Sequence, residues 1–470
     1  MKRIIAGILF VIFVVPLCTT GLAAEPNRVE TVLGEAERLA AVADESGDYT
    51  ALIPVVETFY SDVMPALTED QIVDIIKDDA QGAAYKHFVI DMYSLAVEEG
   101  KRAVERDISS VDEALVSLIV PGGELSVMAM ASLSDPMAIS VSQLKEMIEE
   151  GSADEKVSSL KLLCNRSAAD AILEIEKIME TKEADKRLFD AAINFLPRLI
   201  GEENGFSEAN VISKIKSILE ETDDEYIQIT CVQALMEVGS EEALGVIYDL
   251  QEKLPTELVS YCARKTGTQD MLQNTAVSAT LSSATGARGA RNRLGNALYR
   301  DGVGSLGVEI DWHAGLVGHA SGPFYQSGEW VIHHPGGSAV VQYDTFTTFL
   351  TDKNGEVHKD KGEFYLSTVS QSTAYDIFYT AHDLTNESIA YTFSPMLRTS
   401  KSSGTIEPSD ITKIRCDGVV EYCYEYNGVR LQGLSSDNLW NISTVQGAEN
   451  HPASYRPSAQ SQCFDGKVAH

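Results

Sequence analysis

The sequence predicts a multidomain protein in which an all-α repeat region is followed, across a linker, by an α+β domain. Three observations predict it. From about Arg28 to Leu254, apolar residues recur at three- and four-residue steps and the breaks fall at Gly and Asp clusters, which is the period of amphipathic helices. After Leu306 the texture changes to GVEIDWHAGLVGH, EWVIHH, SAVVQYDTFTTFL and GEFYLSTV. These are short runs of Val, Ile, Phe and Tyr bounded by Gly and Pro, as strands are. The length, 470 residues, exceeds what one hydrophobic core usually organises.

The first elements are an address. Lys2 and Arg3 precede an apolar run from Ile4 to Val15, and Gly21-Leu22-Ala23-Ala24 offers small residues for cleavage, so residues 1–24 read as a secretory signal peptide. The run is too short for a comfortable transmembrane helix. Leu17 is too bulky to precede a lipidated Cys18. The expectation is an exported protein without a stable membrane span, periplasmic or extracellular. Cys164 and Cys231 sit on apolar helical faces, the ordinary place of a small buried thiol. Cys262, Cys423 and Cys463 are open to disulfide formation in an oxidising compartment, with no pairing readable.

Residues 25–265 form the expected helical region, and they hold a weak repeat. Segments beginning at Ala153, Ala184 and Asp223 each open on an acidic helix entry, run an amphipathic helix, turn at a polar or Gly-containing link and run a second helix. Such pairs cannot bury their apolar faces alone and stack into a solenoid. The pattern resembles HEAT-type repeats and implies a scaffold or a surface for a protein partner. The helices between Arg28 and Val120 are less regular and suit a cap.

Charge divides the chain. The net charge is -33. From residue 271 onward there are 14 Lys and Arg against 20 Asp and Glu, a net of -6, which leaves -27 for the first 270 residues. Nucleic acid needs a basic footprint and is excluded as a partner on this balance. Residues 266–303 read as a linker, rich in Thr, Ser, Ala and Gly. Arg288, Arg291, Arg293 and Arg300 near its end are expected to dock on acidic surface of the same chain.

Residues 304–470 carry the chemistry. In IRCDGVVEYCYEYNG, Cys416 stands at the head of a helical pattern in which Val419, Val420, Cys423 and Tyr424 mark an apolar face. A thiol at a helix N-terminus feels the positive end of the dipole, and Arg415 adds to that field, so the residues point to a lowered pKa. Gly418 permits close backbone approach. IDWHAGLVGHASG places His313 within a strand, and EWVIHHPGG places His333 and His334 at the end of another. Zinc ligation by His313, His333, His334 and Cys416 is a competing reading, but no Cys-x-x-Cys or His-Glu-x-x-His spacing supports it. Phosphate loops, dinucleotide fingerprints and Gly-x-Ser-x-Gly elbows are missing.

Together the three pieces resemble the NlpC-type papain-like cysteine peptidases. CDGVVEYCYEYNG resembles their nucleophile helix, WHAGLV their base-bearing strand, and WVIHH the next strand with its third polar residue. His313 precedes Cys416, which is the order of the circularly permuted, lecithin:retinol acyltransferase-like branch. The resemblance covers roughly residues 305 to 435. It implies a papain-like fold and a Cys416–His313–His333 triad without cofactor or metal. Cys416 would be the nucleophile, His313 the base and His333 the orienting residue, with His334 and His319 as substitutes. It also implies a thiol hydrolase acting on a peptide or amide substrate, cell-wall peptides in an exported protein. Lipid or acyl substrates stay open, as does a non-catalytic scaffold with a degenerate module. Arg415 and Asp417 depart from the residues that usually flank the family's cysteine.

Overall fold

The computed structural model describes residues 26–99, 109–181, 185–201, 205–269, 293–302, 304–305, 308–309, 311–318, 330–337, 339–351, 355–452 and 455–468. The expected signal peptide with Cys18, His319, Arg288, Arg291 and most of the expected linker lie outside them. The described part is helix-rich up to Thr266 and is followed by a region built on sheets.

The helices start and stop where their end residues dictate. Ser152 opens Ala153–Arg166 with a capping box, its hydroxyl accepting from the Glu155 amide while Glu155 accepts from the Ser152 amide. Ser167, Asp185, Ser207, Asp224 and Ser240 cap the next five α-helices, each side chain accepting from a backbone amide of the first turn. Gly239 closes Glu225–Val238 with φ of 69°, a left-handed position that costs glycine little. Helices Ala153–Arg166, Lys186–Phe195, Glu225–Val238 and Thr256–Thr266 pack in succession. Ala168–Glu180 leans on the first two of these, and Glu208–Glu221 and Glu241–Asp249 lean on Glu225–Val238. Among the described residues no helix is long and apolar enough to cross a membrane.

Among the described residues the second region has eleven strands: β1 (Ala297–Asp301), β2 (Gly304–Ser305), β3 (Val308–Glu309), β4 (Trp312–Val317), β5 (Trp330–His333), β6 (Gln342–Thr345), β7 (Asp360–Tyr365), β8 (Ala390–Tyr391), β9 (Leu397–Thr399), β10 (Ile411–Ile414) and β11 (Gly466–Val468). Six of them form an antiparallel sheet in the order β11-β7-β1-β4-β5-β6. A second sheet, β8-β10-β9, pairs β10 parallel to β8 and antiparallel to β9. The stretch expected to be linker ends differently from expectation. Ala297–Asp301 is a central strand, hydrogen-bonded to β4 and β7, and its first four residues are buried. Its five-residue ALYRD core was hidden by the polar, Gly- and Arg-rich sequence on its flank.

Alternation along the strands gives the large sheet two different faces. Ala297, Tyr299, Ala314, Leu316 and Ile332 join the main core together with helices Gln371–Asn386 and Cys416–Tyr426. Leu298, Val317, Val331 and Phe349 make a small separate cluster on the other face. The main core continues without a break into the helical region. Helix Gln371–Asn386 packs against Lys186–Phe195, Glu225–Val238 and Thr256–Thr266.

Buried polar groups fix the seam between the two regions. Asp91 accepts from Arg398 at 2.9 Å, from Lys413 at 3.3 Å and from the Phe393 amide at 2.8 Å. Ser94 and Ser132 also accept from Lys413, each at 2.8 Å. Glu387 pairs with Arg198 and Lys161 and accepts from Asn194 at 2.8 Å. His382 is sandwiched between Thr230 Oγ1 at 3.1 Å and the Tyr343 hydroxyl at 3.2 Å.

Burial holds three seam histidines neutral. It lowers His87 to about 4, with the charges of Lys413 and Arg398 helping and Asp91 opposing, and lowers His334 and His382 to about 3. Their folded pKa values lie below the unfolded value near 6.5, so the unfolded chain binds protons more readily between those limits. Stability is therefore expected to be complete above about pH 6.5 and to fall as pH drops toward 4, by about 1.4 kcal/mol per histidine for each unit of separation. Urea midpoints measured from pH 7.5 to pH 4.5 check this, and a flat profile contradicts it.

Candidate active site

Helix Cys416–Tyr426 begins directly after β10, and its first turn abuts β4. Gly418 makes the fit possible, because a Cβ there would stand 2.6 Å from the Met396 carbonyl and 2.8 Å from an Ile414 side-chain carbon. Cys416 is fully buried, and its thiol lies against the backbone N–H of Ala314, the residue that follows His313.

His313 and His333 come together on the sheet. β4 and β5 are adjacent antiparallel strands, and both histidines project to the face that carries Val317 and Val331. His313 Nε2 and His333 Nδ1 are 2.9 Å apart, with the rings edge to face. Phe349 packs on both rings, at centroid distances of 5.5 and 5.2 Å. His333 Nε2 in turn lies 2.8 Å from Asp344 Oδ2 on β6. Burial alone would raise the Asp344 carboxyl. The hydrogen bond and charge of His333, with help from Gln342 and Arg187, outweigh it and leave Asp344 below its ordinary value.

These contacts give the relay a direction. An ionised Asp344 only accepts, so His333 donates from Nε2 and, when neutral, has a bare Nδ1. That bare nitrogen accepts from His313 Nε2, which leaves the lone pair of His313 on Nδ1. His313 Nδ1 is buried and has no hydrogen-bond partner among the described residues. Burial, then the Arg300 charge, then the neighbouring histidines hold His313 well below the usual imidazole range. It is therefore a neutral base with its acceptor nitrogen uncommitted.

No hydrogen bond joins the Cys416 thiol to His313 or His333 among the described residues. The thiol's electrostatics also differ from what the sequence suggested. Burial pushes the Cys416 thiol well up, the charges of Asp417 and Asp48 push it further, and the Ala314 amide and Arg415 only partly oppose them. The helix end and Arg415 do not lower it. The reason is the pairing of Arg415, whose Nε and Nη2 donate to Asp417 Oδ1 and Oδ2 at 2.9 and 2.5 Å with both side chains fully buried. The guanidinium charge is spent on the carboxylate two residues away.

His334 is not part of this group. Its Nε2 donates to the Ile389 carbonyl at 3.1 Å and its Nδ1 accepts from the Gly336 amide at 3.1 Å, so both nitrogens are committed to backbone. Among the described residues no group of three or more His, Cys, Asp or Glu side chains is arranged as a metal ligand set. Cys164, Cys231, Cys262, Cys416, Cys423 and Cys463 are all free thiols.

Three residues at the site went unnoticed in the sequence: Asp344, Asp48 and the local role of Arg300. Asp344 sits in the strand segment VVQYDTF, and its partnership with His333 depends on the β5–β6 register, which pairs His333 with Gln342 and Val331 with Asp344. Arg300 belongs to the arginine cluster expected to dock on acidic groups of the same chain. It pairs with Asp48 at 3.2 Å, and Arg293 pairs with Glu363 at 2.6 Å. Searches of family models, of curated proteins and of solved structures returned no match to this chain.

Proposed function

We propose that this chain is a thiol hydrolase that cleaves an amide or peptide bond. The observation that carries the reading is the directed relay Asp344–His333–His313, which ends in an uncommitted nitrogen; because His313 projects to the sheet face opposite the Cys416 helix, the reading requires its ring to swing toward the thiol. In this reading the raised thiol stays protonated until substrate arrives. His313 Nδ1, once swung to the thiol's side of the sheet, takes the proton as Sγ attacks the carbonyl carbon, an S–C bond forms, and the C–N bond breaks as the amine leaves with that proton. Water, deprotonated by the same nitrogen, hydrolyses the thioester and restores the thiol. His333 and Asp344 hold the imidazole in its working tautomer.

The wider reading follows the resemblance of the three motifs. The second region is a permuted NlpC-type papain-like domain, and the stacked helices from residue 153 to residue 266 are a HEAT-like solenoid that positions it or recruits a protein partner. An export signal, if used, places the enzyme in the periplasm or outside the cell, where cell-wall peptides are the natural amide substrate. Acyl or lipid esters are the variant substrate class.

The test is hydrolysis of a panel of peptide amides, cell-wall muropeptides and acyl thioesters. Turnover that disappears in Cys416→Ala is expected, and Asp344→Asn is expected to reduce it roughly 10²-fold, as loss of an orienting partner to a general base does. Activity that persists in Cys416→Ala sinks the reading. A second reading, a non-catalytic scaffold, is favoured by the complete burial of Cys416 and by the Arg415–Asp417 pair at its side. No turnover on any member of the panel supports that one.

A further inference from the structure

The chain of hydrogen bonds does not stop at Asp344. Gln342 lies opposite His333 in the β5–β6 register and two residues before Asp344, so the three side chains share one face of the sheet. Gln342 Nε2 donates at 3.0 Å to Asp344 Oδ2, the same oxygen that lies 2.8 Å from His333 Nε2. Gln342 Oε1 accepts from Arg187 Nη1 at 3.5 Å. β6 is the last strand of the six-stranded sheet, and Arg187 reaches it from the helix Lys186–Phe195 of the helical region. The same Nη1 donates to Asp154 Oδ1 on the helix Ala153–Arg166, which packs beside it.

Donor and acceptor chemistry admits only one orientation of the amide. A guanidinium only donates and an ionised carboxylate only accepts, so an amide between them turns its oxygen to Arg187 and its nitrogen to Asp344. Asp154 anchors the guanidinium from the other side. We propose that Arg187 and Gln342 are positioning residues of the relay, through which the helical region holds Asp344 aimed at His333. With two donors on Oδ2, the carboxylate stays ionised and cannot turn away from the imidazole. The Arg187 charge acts in the same sense and against burial. The stacked helices thereby gain a task at the site itself. The inference rests on the thiol-hydrolase reading for the purpose of the relay, but neither Cys416 nor turnover enters its test.

The experiment follows the His333 Nε2–H proton by NMR in the full chain labelled with 15N-histidine, at pH 7. A proton donated to a carboxylate resonates at low field and exchanges slowly with solvent, and its loss in His333→Gln assigns it. Gln342→Glu keeps the size of the side chain but presents an acceptor to Asp344, so a role in packing alone would leave the proton unaffected. Arg187→Leu removes the group that orients the amide. Each variant is expected to shorten the exchange lifetime roughly tenfold, the worth of about one charge-assisted hydrogen bond. Should Arg187→Leu fail to fold, Asp154→Asn, which frees the guanidinium without stranding a carboxylate, takes its place. An unchanged lifetime in both variants overturns the proposal. Shortening in only one of them overturns it too, because the bonds then do not act in series. Shortening in both, beside hydrolysis that persists in Cys416→Ala, keeps the positioning role and removes the hydrolase reading.

Discussion

Replacing Asp91 with Ala is expected to destabilise the chain by about 3–5 kcal/mol, the usual cost of breaking a buried ion pair from one side. The carboxylate is fully buried and is the shared acceptor of Arg398 and Lys413, whose side chains are 2% and 0% exposed. Without it two positive charges face each other in a site closed to water. Burial already lowers Lys413 to about 8, against the pull of Asp91, so the lysine can escape by losing its proton, but Arg398 cannot. The Phe393 amide and Thr392 hydroxyl lose their acceptor as well. Urea unfolding of Asp91→Ala beside the unaltered chain measures the difference. A change under 1 kcal/mol would mean that Arg398 and Lys413 find water or other acceptors, and that the seam is looser than these contacts imply.

The second large effect is catalytic. On any substrate the chain turns over, His313→Ala is expected to lower kcat/KM by roughly 10²–10⁴-fold, the range supplied by a positioned general base. Because the thiol is raised rather than poised as a thiolate, no preformed nucleophile remains when the base is gone. The loss should therefore shrink as pH rises and hydroxide takes over the proton transfer. His334→Ala is the companion variant. His334 bonds only to backbone, so its loss should cost stability through the Ile389 and Gly336 contacts while leaving the pH dependence of kcat/KM unchanged. A His334→Ala profile that matches His313→Ala would reassign the base.

How far the sequence anticipated this arrangement depended on how local each signal was. The apolar spacing of Val419, Val420, Cys423 and Tyr424 marked the helix on which Cys416 stands, and TAYDIFYTAHDLTN marked the helix Gln371–Asn386. The strand runs around His313 and His333 were likewise readable, because alternation and flanking Gly or Pro are written within a few residues. What escaped was anything set by pairing across the chain. Asp344 meets His333 only because of a hairpin register, and Asp48 meets Arg300 across 252 positions. The field at Cys416 was misread for a related reason. Arg415 and Asp417 were both visible beside the thiol, but their net effect turns on a side-chain geometry that couples them to each other. β1 was hidden because three apolar residues, Ala297, Leu298 and Tyr299, followed by Arg and Asp carry little weight beside a long polar stretch.

The central claim is that His313 serves Cys416, and the rate of Cys416 alkylation tests it most directly. Iodoacetamide labelling of the unaltered chain and of His313→Ala, followed by peptide mass spectrometry from pH 6 to pH 10, isolates the base, since the substitution leaves Cys416 and its own helix unchanged. The account predicts Cys416 labelling at least tenfold slower in His313→Ala at pH 7, with the two rates converging toward pH 10. Equal rates at pH 7 would contradict it, and Cys416 would then be a buried structural thiol beside an unrelated histidine relay.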